Sequence, residues 1–479
     1  MRALMISAMQ SGAGKTVMSC ALMAALKRRG LHVQAFKSGP DYIDPMFHSR
    51  VLGVESRNLD LFLQGEAGVR RSFASRQGDV ALVEGAMGYY DGLNGTTEAS
   101  AWELAGTLDL PAVLVLRPKG SGVTLAAQVC GMRSFRPESR IAGLLLCDCS
   151  ERQAEYFRGI LERECGLPVL GCLPPMEEAR LESRHLGLLT AAEIEDFQLR
   201  FDRIARQAEQ SIDLDRLLDL ASEIEPGGGN GQPGSVPEEH APAGSVRAGT
   251  EKNHKTMSRC RIAVTRDEAF CFHYADNLDA LRQAGAEILF FSPLHDRHLP
   301  EAEGLWLCGG YPELYARQLS ENKSICREIR ERVLQGCPTA AECGGFLYLQ
   351  ESLEDLEGRA WPMCGALPGQ GVKTGKLQRF GYLKLRAESD SLMFRAGERI
   401  PAHEFHYWDS MENGRDLAAE KADGRSWRCG RVTETLYAGF PHLHFGGELP
   451  LAERFVKACL AYGEKEYNRL SDPGDLPAG

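Results

Sequence analysis

The sequence has no apolar run long enough to cross a membrane and no excess of positive charge. Its 479 residues include 55 Lys and Arg against 66 Asp and Glu, which gives a formal net charge of -11. This balance excludes a broad electrostatic attraction to nucleic acid or to an anionic lipid surface, although a small anion can still bind locally. The first residues run from an apolar stretch into a glycine-rich turn without a cleavage pattern, so we expect a cytoplasmic protein.

Paired cysteine motifs are also absent. The 15 cysteines are scattered, include no CxxC pair and are odd in number. We therefore expect reduced, mostly buried thiols rather than a disulfide framework. Cys147 and Cys149 flank Asp148 at strand spacing, and a metal site is the alternative interpretation of that pair.

The length of the chain predicts two domains, because 479 residues exceed what one ordinary hydrophobic core holds. Between residues 225 and 258 the composition changes to Pro, Gly, Ser and charged residues. Such a segment cannot bury enough apolar area to offset the entropy cost of ordering it. We predict a flexible linker there, with one domain over residues 1–224 and another over residues 259–479.

Short apolar runs alternate with helical patterns in both halves of the chain. The runs lie at residues 3–7, 32–37, 80–84, 112–116 and 141–147, and then at 261–265, 287–291 and 304–308. This alternation is typical of parallel sheets covered by helices. Both domains are therefore predicted to be α/β.

A glycine-rich turn between the first predicted strand and a helix over residues 17–26 predicts a nucleotide-binding site. The residues that we expect to bind ATP are Ser11, Gly12, Gly14, Lys15 and Thr16. Backbone N–H groups of such a loop converge on phosphate oxygens, while the Lys reaches the β- and γ-phosphates and the Thr hydroxyl binds Mg²⁺. Met9 stands where the usual P-loop spacing has Gly, so a glycine-rich turn without a nucleotide is the alternative.

Three carboxylates lie at the ends of later predicted strands. Asp41 and Asp44 follow the second predicted strand, and Glu84 ends the third. Ligands of open parallel sheets gather at the carboxyl ends of the strands. We expect these carboxylates to bind the metal ion with Thr16 or to orient a substrate, although each alone is also a common turn or capping residue.

Cys343 lies in the tight segment Glu342-Cys343-Gly344-Gly345, after a small-residue strand over residues 338–341. Small residues around a nucleophile permit a sharp turn from strand to helix that exposes its side chain. The helix that follows, over residues 346–351, is expected to lower the pKa of the thiol. A second glycine turn contains Gly310, and its N–H group together with that of Gly344 predicts an oxyanion hole.

A nucleophilic thiol needs a base, and histidines near the C-terminus are the candidates. They are His403, His406, His442 and His444. Sequence spacing alone does not choose among them. The alternative is a structural cysteine with ordinary surface histidines.

Together these segments resemble the cobyrinic acid a,c-diamide synthase family, the glutamine-dependent amidases of corrin biosynthesis. The motifs that carry the resemblance are SGAGKT from Ser11, FKSGPDYIDP from Phe36, EGAMGYYDG from Glu84, RHLGL from Arg184, RDEAFCF from Arg266, GGYPEL from Gly309, AECGGFLYL from Ala341 and HEFHY from His403. They extend over nearly the whole chain apart from the predicted linker.

The resemblance implies an N-terminal P-loop domain of the dethiobiotin synthetase type and a C-terminal class I glutamine amidotransferase domain with a flavodoxin-like fold. It implies that Cys343 attacks the side-chain amide of L-glutamine and that His442 is its base. His444 occupies a position where many such amidotransferases have Glu, and it is the reserve candidate.

The resemblance also implies what the two sites do together. ATP with Mg²⁺ converts a substrate carboxylate into an acyl phosphate, and ammonia released from glutamine displaces the phosphate, on the a and c acetates of cobyrinate. Other readings are the same reaction on hydrogenobyrinate or nickel-sirohydrochlorin, a non-catalytic ATP-dependent binding protein, and a dethiobiotin-like carboxylase, which leaves the second domain without a purpose. A homodimer is an assembly that the sequence leaves open.

Three positions depart from the family pattern. The family usually has Gly where this chain has Ala8, an Asp-Ala pair where it has Arg117-Pro118, and Asn where it has Asp148. The last two lie at strand ends near the expected pocket for the nucleotide base. An altered nucleotide affinity or base preference is the expected consequence.

Overall fold

The computed structural model describes residues 1–176, 197–224 and 260–471, and the side chains of these ranges except those of residues 197, 198 and 469–471. The predicted linker over residues 225–258 and the RHLGL motif at Arg184 lie outside the described residues. Within those ranges, no helix combines the length and the apolar composition that a membrane span requires.

The first half of the chain forms one sheet with helices on both faces. Its strands are β1 (Arg2–Ala8), β2 (Val33–Ser38), β3 (Arg57–Leu59), β4 (Val80–Glu84), β5 (Ala112–Leu116), β6 (Ile141–Cys147), β7 (Val169–Leu173) and β8 (Ser222–Glu223). The strand order is β3-β2-β4-β1-β5-β6-β7, all parallel, and β8 pairs antiparallel with β1. The helices are α1 (Lys15–Arg28), α2 (Ile43–Leu52), α3 (Leu61–Ala74), α4 (Ala101–Thr107), α5 (Val123–Ser134), α6 (Glu151–Cys165), α7 (Phe197–Ser211) and α8 (Leu214–Leu220), with a 3₁₀ turn at Leu93–Gly95.

The second half contains two sheets. Its strands are β9 (Cys260–Thr265), β10 (Ala286–Phe291), β11 (Gly304–Leu307), β12 (Thr339–Glu342), β13 (Ser352–Glu354), β14 (Ala360–Pro362), β15 (Gln370–Ala387), β16 (Arg399–Ser410), β17 (Leu417–Glu420), β18 (Ser426–Cys429), β19 (Arg431–Val432), β20 (Leu436–Gly439) and β21 (His442–Leu443). Its helices are α9 (Ala275–Gln283), α10 (Ala316–Glu321), α11 (Lys323–Leu334), α12 (Gly344–Leu349) and α13 (Leu451–Ser471), with a 3₁₀ turn at Pro312–Tyr315. One sheet runs in the order β10-β9-β11-β12-β20-β19, and a largely antiparallel sheet in the order β14-β13-β15-β16-β21, with β17 and β18 beside β15.

The α/β class predicted from the alternating apolar runs is confirmed for both halves. Strands β1 and β4 to β6 are buried along almost their whole length, because helices cover both faces of the sheet. The sequence analysis did not find β3, β7 or the long pair β15 and β16. The strand that ends at Glu84 is therefore the fourth in the chain and not the third.

Side chains of the two halves pack directly against each other. The buried Arg57 guanidinium forms ion pairs with Asp276, at 2.5 Å, and with Asp279. Farther along the same contact, Tyr382 donates a 2.6 Å hydrogen bond to the Asp60 carboxylate, which also caps the N-terminus of α3. This interface places the carboxyl end of β2, from the first sheet, beside the second half of the chain.

Candidate active site

The glycine-rich turn after β1 has the geometry that the sequence predicted for a phosphate loop. Gly14 has a φ of 90°, a conformation that favours glycine, and α1 begins at the next residue. The ammonium of Lys15 donates to the backbone oxygens of Gln10, at 3.2 Å, and Met87, at 2.5 Å. Burial, followed by repulsion from Lys37, lowers the pKa of Lys15 to about 8. Ser11 and Gly12 are exposed on the outer side of the same turn.

The hydroxyl of Thr16 meets two of the three predicted carboxylates. Its Oγ1 atom donates to Glu84 at 2.8 Å and lies 3.1 Å from an Asp44 oxygen. Parallel pairing of β2 with β4 places Lys37 opposite Glu84, and the buried Lys37 ammonium lies 2.5 Å from Asp44 and 2.9 Å from Glu84. His48 contacts the second Glu84 oxygen at 2.8 Å. The sequence analysis did not identify Lys37 or His48 as members of this cluster.

The charges of this cluster follow from burial and from the ion pairs. Burial raises the pKa of Asp44 well above its ordinary value, against the opposing effect of Lys37. Burial also opposes ionisation of Glu84, but Lys37 and His48 outweigh it and hold the pKa of Glu84 well below its ordinary value. Burial likewise opposes the Lys37 ammonium, yet Asp44 and Glu84 keep the pKa of Lys37 above its usual range. Glu84 is thus the carboxylate of the cluster whose ionised form is the more strongly favoured.

The donor set of this cluster fits a magnesium ion. A hydroxyl and two carboxylates are the oxygen ligands that Mg²⁺ takes beside nucleotide phosphates, and Thr16, Asp44 and Glu84 converge within hydrogen-bond distance. Asp41 is engaged differently, because its carboxylate accepts a 2.8 Å hydrogen bond from the backbone N–H of Ile43. The structure therefore brings Asp44 and Glu84 to Thr16, and uses Asp41 in the turn that begins α2.

Arg117 and Asp148 form an ion pair of 2.7 Å at the carboxyl ends of β5 and β6. Both side chains are partly exposed, and a Cβ atom added to Gly14 would lie 3.7 Å from the Arg117 guanidinium. The two positions that depart from the family pattern are therefore neighbours of each other and of the phosphate loop. The sequence analysis placed them near the base pocket without pairing them.

The predicted thiol turn is formed by the end of β12 and the start of α12. Cys343 has a φ of 47° and a ψ of -104°, and its backbone N–H donates to the Gly439 oxygen at 2.8 Å. A side chain at Gly345 would collide with the carbonyl oxygen of Leu307, so only glycine fits there. The close packing of this turn explains why glycines follow the cysteine.

The expectation that the helix N-terminus lowers the pKa of the Cys343 thiol is wrong. Cys343 is 6% exposed, and burial raises its pKa well above the ordinary range, with Glu313 and Glu404 acting in the same direction. A hydrogen bond from the backbone N–H of Gly344 opposes this effect but does not reverse it. A helix of only 6 residues leaves desolvation as the dominant effect.

The predicted oxyanion donors lie close together. A Cβ atom placed on Gly344 would be 3.1 Å from the backbone nitrogen of Gly310. The neighbouring Gly309 packs against the imidazole of His442, since a Cβ there would lie 2.5 Å from its Cε1 atom. Two glycine turns and one histidine thus surround the same small space next to Cys343.

His442 is the histidine that the fold places at this turn. Its Nδ1 atom lies 3.7 Å from a carboxylate oxygen of Glu342, the residue before Cys343, and both side chains are buried. Glu342 also accepts a 3.2 Å hydrogen bond from the Leu443 N–H. The sequence analysis missed Glu342 as a partner of His442, because the two residues meet only through the pairing of β12 with β20, which ends three residues before His442.

The other candidate histidines have different environments. His444 packs against Tyr274 with a ring-centroid distance of 4.7 Å and accepts a 3.0 Å hydrogen bond from the Gly446 N–H, and burial lowers its pKa to about 4. Burial lowers the pKa of His403 to about 3. His406 stacks on Phe440 with a centroid distance of 3.8 Å.

Tyr42 joins the two sites across the interface between the halves. It lies between Asp41 and Asp44 of the first half, and its ring stacks on Phe272 at 4.9 Å and on Tyr274 at 4.4 Å. The same ring contacts the His442 imidazole at a centroid distance of 5.1 Å. A short segment of chain therefore touches both the cluster at Thr16 and His442 beside the thiol turn.

The alternative of a metal site at Cys147 and Cys149 finds no support in the geometry. Over the described ranges, no group of at least three His, Cys, Asp or Glu side chains is arranged to hold a metal ion. Burial raises the pKa of both thiols to about 11. Cys147 and Cys149 are buried free thiols.

Two family models match the chain. The first, described as a CobQ/CobB/MinD/ParA nucleotide binding domain, matches residues 4–189. The second, described as a CobB/CobQ-like glutamine amidotransferase domain, matches residues 261–449. The phosphate loop lies in the first range and the thiol turn in the second.

Whole-length relatives match both halves at once. The chain is 36% identical to the cobyrinate a,c-diamide synthase of Caldanaerobacter subterraneus subsp. tengcongensis, over 97% of this chain and 100% of that one. It is 37% identical to the enzyme of that name from Salmonella typhimurium, over 94% and 96% of the two chains. It is 38% identical to the one from Synechococcus sp., over 95% and 98%.

Proposed function

The chain belongs to the cobyrinate a,c-diamide synthase family, and from that premise we propose that it amidates the a and c carboxylates of cobyrinate with ATP and glutamine. One observation carries this proposal: Asp44 reaches the Thr16 hydroxyl while Tyr42, two residues before it, contacts the base of the thiol site. A shared segment keeps the site that activates the acid close to the site that releases ammonia, so ammonia has only a short distance to travel.

We also propose the division into a first domain over residues 1–224, a linker over residues 225–258 and a second domain over residues 259–479.

We assign the release of ammonia to Cys343. Its sulfur attacks the side-chain amide of glutamine, and His442 takes the thiol proton as the bond forms, because the raised pKa leaves little thiolate in the resting protein. The N–H groups of Gly310 and Gly344 donate to the oxyanion that develops. His442 returns the proton to the departing ammonia, and water then cleaves the thioester to give glutamate. Glu342 orients the imidazole.

We assign the activation of the carboxylate to the cluster around Thr16. The loop with Ser11, Gly12 and Gly14 holds the phosphates of ATP, and Lys15 leaves its backbone partners to neutralise the transferring phosphoryl group. The acid attacks the γ-phosphate, ADP departs, and the resulting acyl phosphate has a good leaving group. Ammonia then displaces phosphate and forms the amide.

Thr16, Asp44 and Glu84 are the residues that would hold Mg²⁺, and Asp41 would act only through the turn that places Asp44. A bound magnesium ion supplies charge neutralisation between the phosphates. Lys37 already bridges the two carboxylates, so it keeps them together when no metal is bound.

The experiment that tests this function uses the purified full chain with cobyrinate, MgATP and glutamine, and counts the amides formed by mass spectrometry. Two amides on cobyrinate are expected. Parallel reactions with hydrogenobyrinate and nickel-sirohydrochlorin decide the macrocycle, and conversion of none of the three rejects the proposal. Cys343→Ser is the control: it should lose synthesis with glutamine and retain it with ammonium chloride.

A further inference from the structure

A strip of aromatic rings that are exposed or half-buried lies beside the interface between the two halves, and nothing in the chemistry above uses it. It consists of Phe62, Phe380, Tyr382, Phe405 and Tyr407, which we call the aromatic strip. We propose that the aromatic strip binds the flat face of the tetrapyrrole substrate and that the lysines around it bind the carboxylates of that substrate. This inference rests on the proposed function.

The rings of the strip form two groups in contact, which the buried His403 joins. Phe62 and Tyr382 have a centroid distance of 4.8 Å, Phe380 and Phe405 one of 5.3 Å, and Phe405 and Tyr407 one of 6.2 Å. His403 lies beneath, in contact with both Phe380, at 5.9 Å, and Tyr382, at 5.4 Å. Phe380 is nevertheless 51% exposed, which is unusual for a ring with so many aromatic neighbours.

Cations border the strip on a molecule whose net charge is -11. The ammonium of Lys384 lies 5.9 Å from the centroid of Phe62, and that of Lys421 donates to the backbone oxygen of Phe380. Lys376 is exposed at the irregular part of β15. Among the residues that the structure describes, none of these three lysines forms an ion pair.

The nearest acidic side chains are already engaged. Glu404 and Asp409 pair with the Arg379 guanidinium. Asp60 accepts the Tyr382 hydroxyl, and burial raises the pKa of that carboxyl to about 6. Glu420, which is opposite Lys384 on β17, lies 3.8 Å from Arg386. The lysines are therefore available to an anionic ligand.

The strip lies between the two reactive sites. A Cβ atom added to Gly39, on the turn that leads to Asp44, would lie 3.7 Å from the Tyr382 hydroxyl and 3.4 Å from Ala86, which follows Glu84. On the other side, strand pairing places His403 opposite His442. A ligand on the strip would thus lie next to the turn that carries Asp44, and His403 would separate it from His442.

The chemistry of the strip matches one kind of occupant. A flat conjugated macrocycle stacks on aromatic rings that are at least partly accessible, and its several peripheral carboxylates need separated cations rather than one deep pocket. A small acid would leave the aromatic surface uncovered, and a neutral apolar ligand would leave the lysines unpaired. The strip also lets the substrate turn in plane, so that different acetates reach the same cluster.

The test uses the full-length protein with cobyrinate as the probe, in an absorbance titration and in the amidation assay. The variants are Phe380→Ala and Lys384→Glu, at exposed positions whose change does not disturb a core. Matched controls are Phe135→Ala, at a phenylalanine that is 54% exposed elsewhere, and Lys457→Glu on α13. We expect the two variants to raise both the Kd and the KM for cobyrinate by about tenfold, which corresponds to about 1.4 kcal/mol.

The KM values for ATP and glutamine should stay unchanged, and the controls should behave as the wild type does. The proposal is overturned if the wild type amidates cobyrinate and both variants keep its Kd and KM. It is also overturned if Phe380→Ala changes only the oligomeric mass, because the strip is then an interface between copies. Failure of the wild type to amidate any macrocycle rejects the proposed function instead, and the titration still tests the strip.

Discussion

At the scale of single residues, the arrangement of Glu342, Cys343 and His442 determines what the thiol can do. The carboxylate and the nucleophile are neighbours in sequence, and the imidazole comes from another strand. The 3.7 Å between Glu342 and the His442 Nδ1 atom exceeds a hydrogen bond but keeps a negative charge behind the ring. In the proposed mechanism, that charge stabilises the imidazolium that forms when His442 takes the proton of the Cys343 thiol.

We expect Glu342→Gln to lower the kcat of glutamine hydrolysis by about 10²-fold or more, because the imidazolium loses its counter-charge. The KM for glutamine should change little, since Glu342 is not expected to touch the substrate. Steady-state glutaminase kinetics across pH measure both, and the ammonium-dependent synthesis rate reports whether the fold is intact. An unchanged kcat would show that Glu342 has no role in glutamine hydrolysis.

The thiol of Cys343 should react slowly with an alkylating reagent at neutral pH. Burial raises its pKa, so the protonated form dominates and the reaction with iodoacetamide should accelerate as pH rises above about 8.5, the value of a free thiol. The same shift leaves folding stability intact below that pH and reduces it above, because the thiolate is favoured only in the unfolded chain. Peptide mass spectrometry follows the residue, and fast labelling at neutral pH would contradict the prediction.

At the scale of strands and helices, parallel pairing collects the polar ends of β1, β2 and β4 at one edge of the sheet. Lys37 and Glu84 are partners in the register, and Thr16 enters from the first turn of α1. The cluster is a consequence of strand order, since its members are distant in sequence. Its burial makes it important for stability as well as for chemistry.

We expect Lys37→Met to reduce the free energy of unfolding by about 3–5 kcal/mol, because a buried carboxylate then lacks its counter-ion. Urea denaturation monitored by circular dichroism measures the loss. The exposed Lys457, changed to Met, is the control and should unfold at the wild-type midpoint. Equal midpoints for the two variants would mean that the ion pairs contribute nothing net.

The sequence predicted those elements whose pattern is local. The buried strands of the first sheet are uninterrupted apolar runs, and the two glycine turns carry their own signals. Strands β15 and β16 escaped detection because polar and charged residues interrupt them, whereas the sequence analysis identified strands by continuous apolar runs; the register of the pair also shifts twice. Lys37 and Glu342 could not be assigned, because their roles depend on which strands become neighbours. The predicted direction of the Cys343 pKa shift was wrong because the burial of a side chain depends on tertiary packing, which the sequence around it does not reveal.

At the scale of the whole molecule, the ring of Tyr42 fills the junction between the two halves. It stacks on two aromatic residues of the second half and contacts His442, and no other described residue of the segment between β2 and α2 makes such ring contacts. The ion pairs of Arg57 hold the same interface closed at its edge. In the proposed mechanism, ammonia released at Cys343 therefore meets packed protein rather than open solvent on the side of Tyr42.

We expect Tyr42→Ala to separate the two reactions. The cavity left by the ring would admit water, so more glutamine should be hydrolysed for each amide formed, and ammonium-dependent synthesis should fall less than glutamine-dependent synthesis. Tyr42→Phe is the matched control, because it keeps the ring and its contacts. The ratio of glutamate to amide measures the effect, and a ratio equal to that of the wild type would exclude Tyr42 from the path.

The positive φ of Cys343 lowers the stability of the fold at the residue that we propose as the nucleophile. A side chain at a φ of 47° costs about 1–3 kcal/mol that glycine would not incur. Cys343→Gly should therefore melt at a higher temperature than the wild type in calorimetry while releasing no ammonia, and a lower melting temperature would contradict this. Laboratory evolution that selects only for a higher melting temperature would favour replacement of Cys343 by glycine. A screen for thermostable variants must therefore also select for transfer of nitrogen from glutamine.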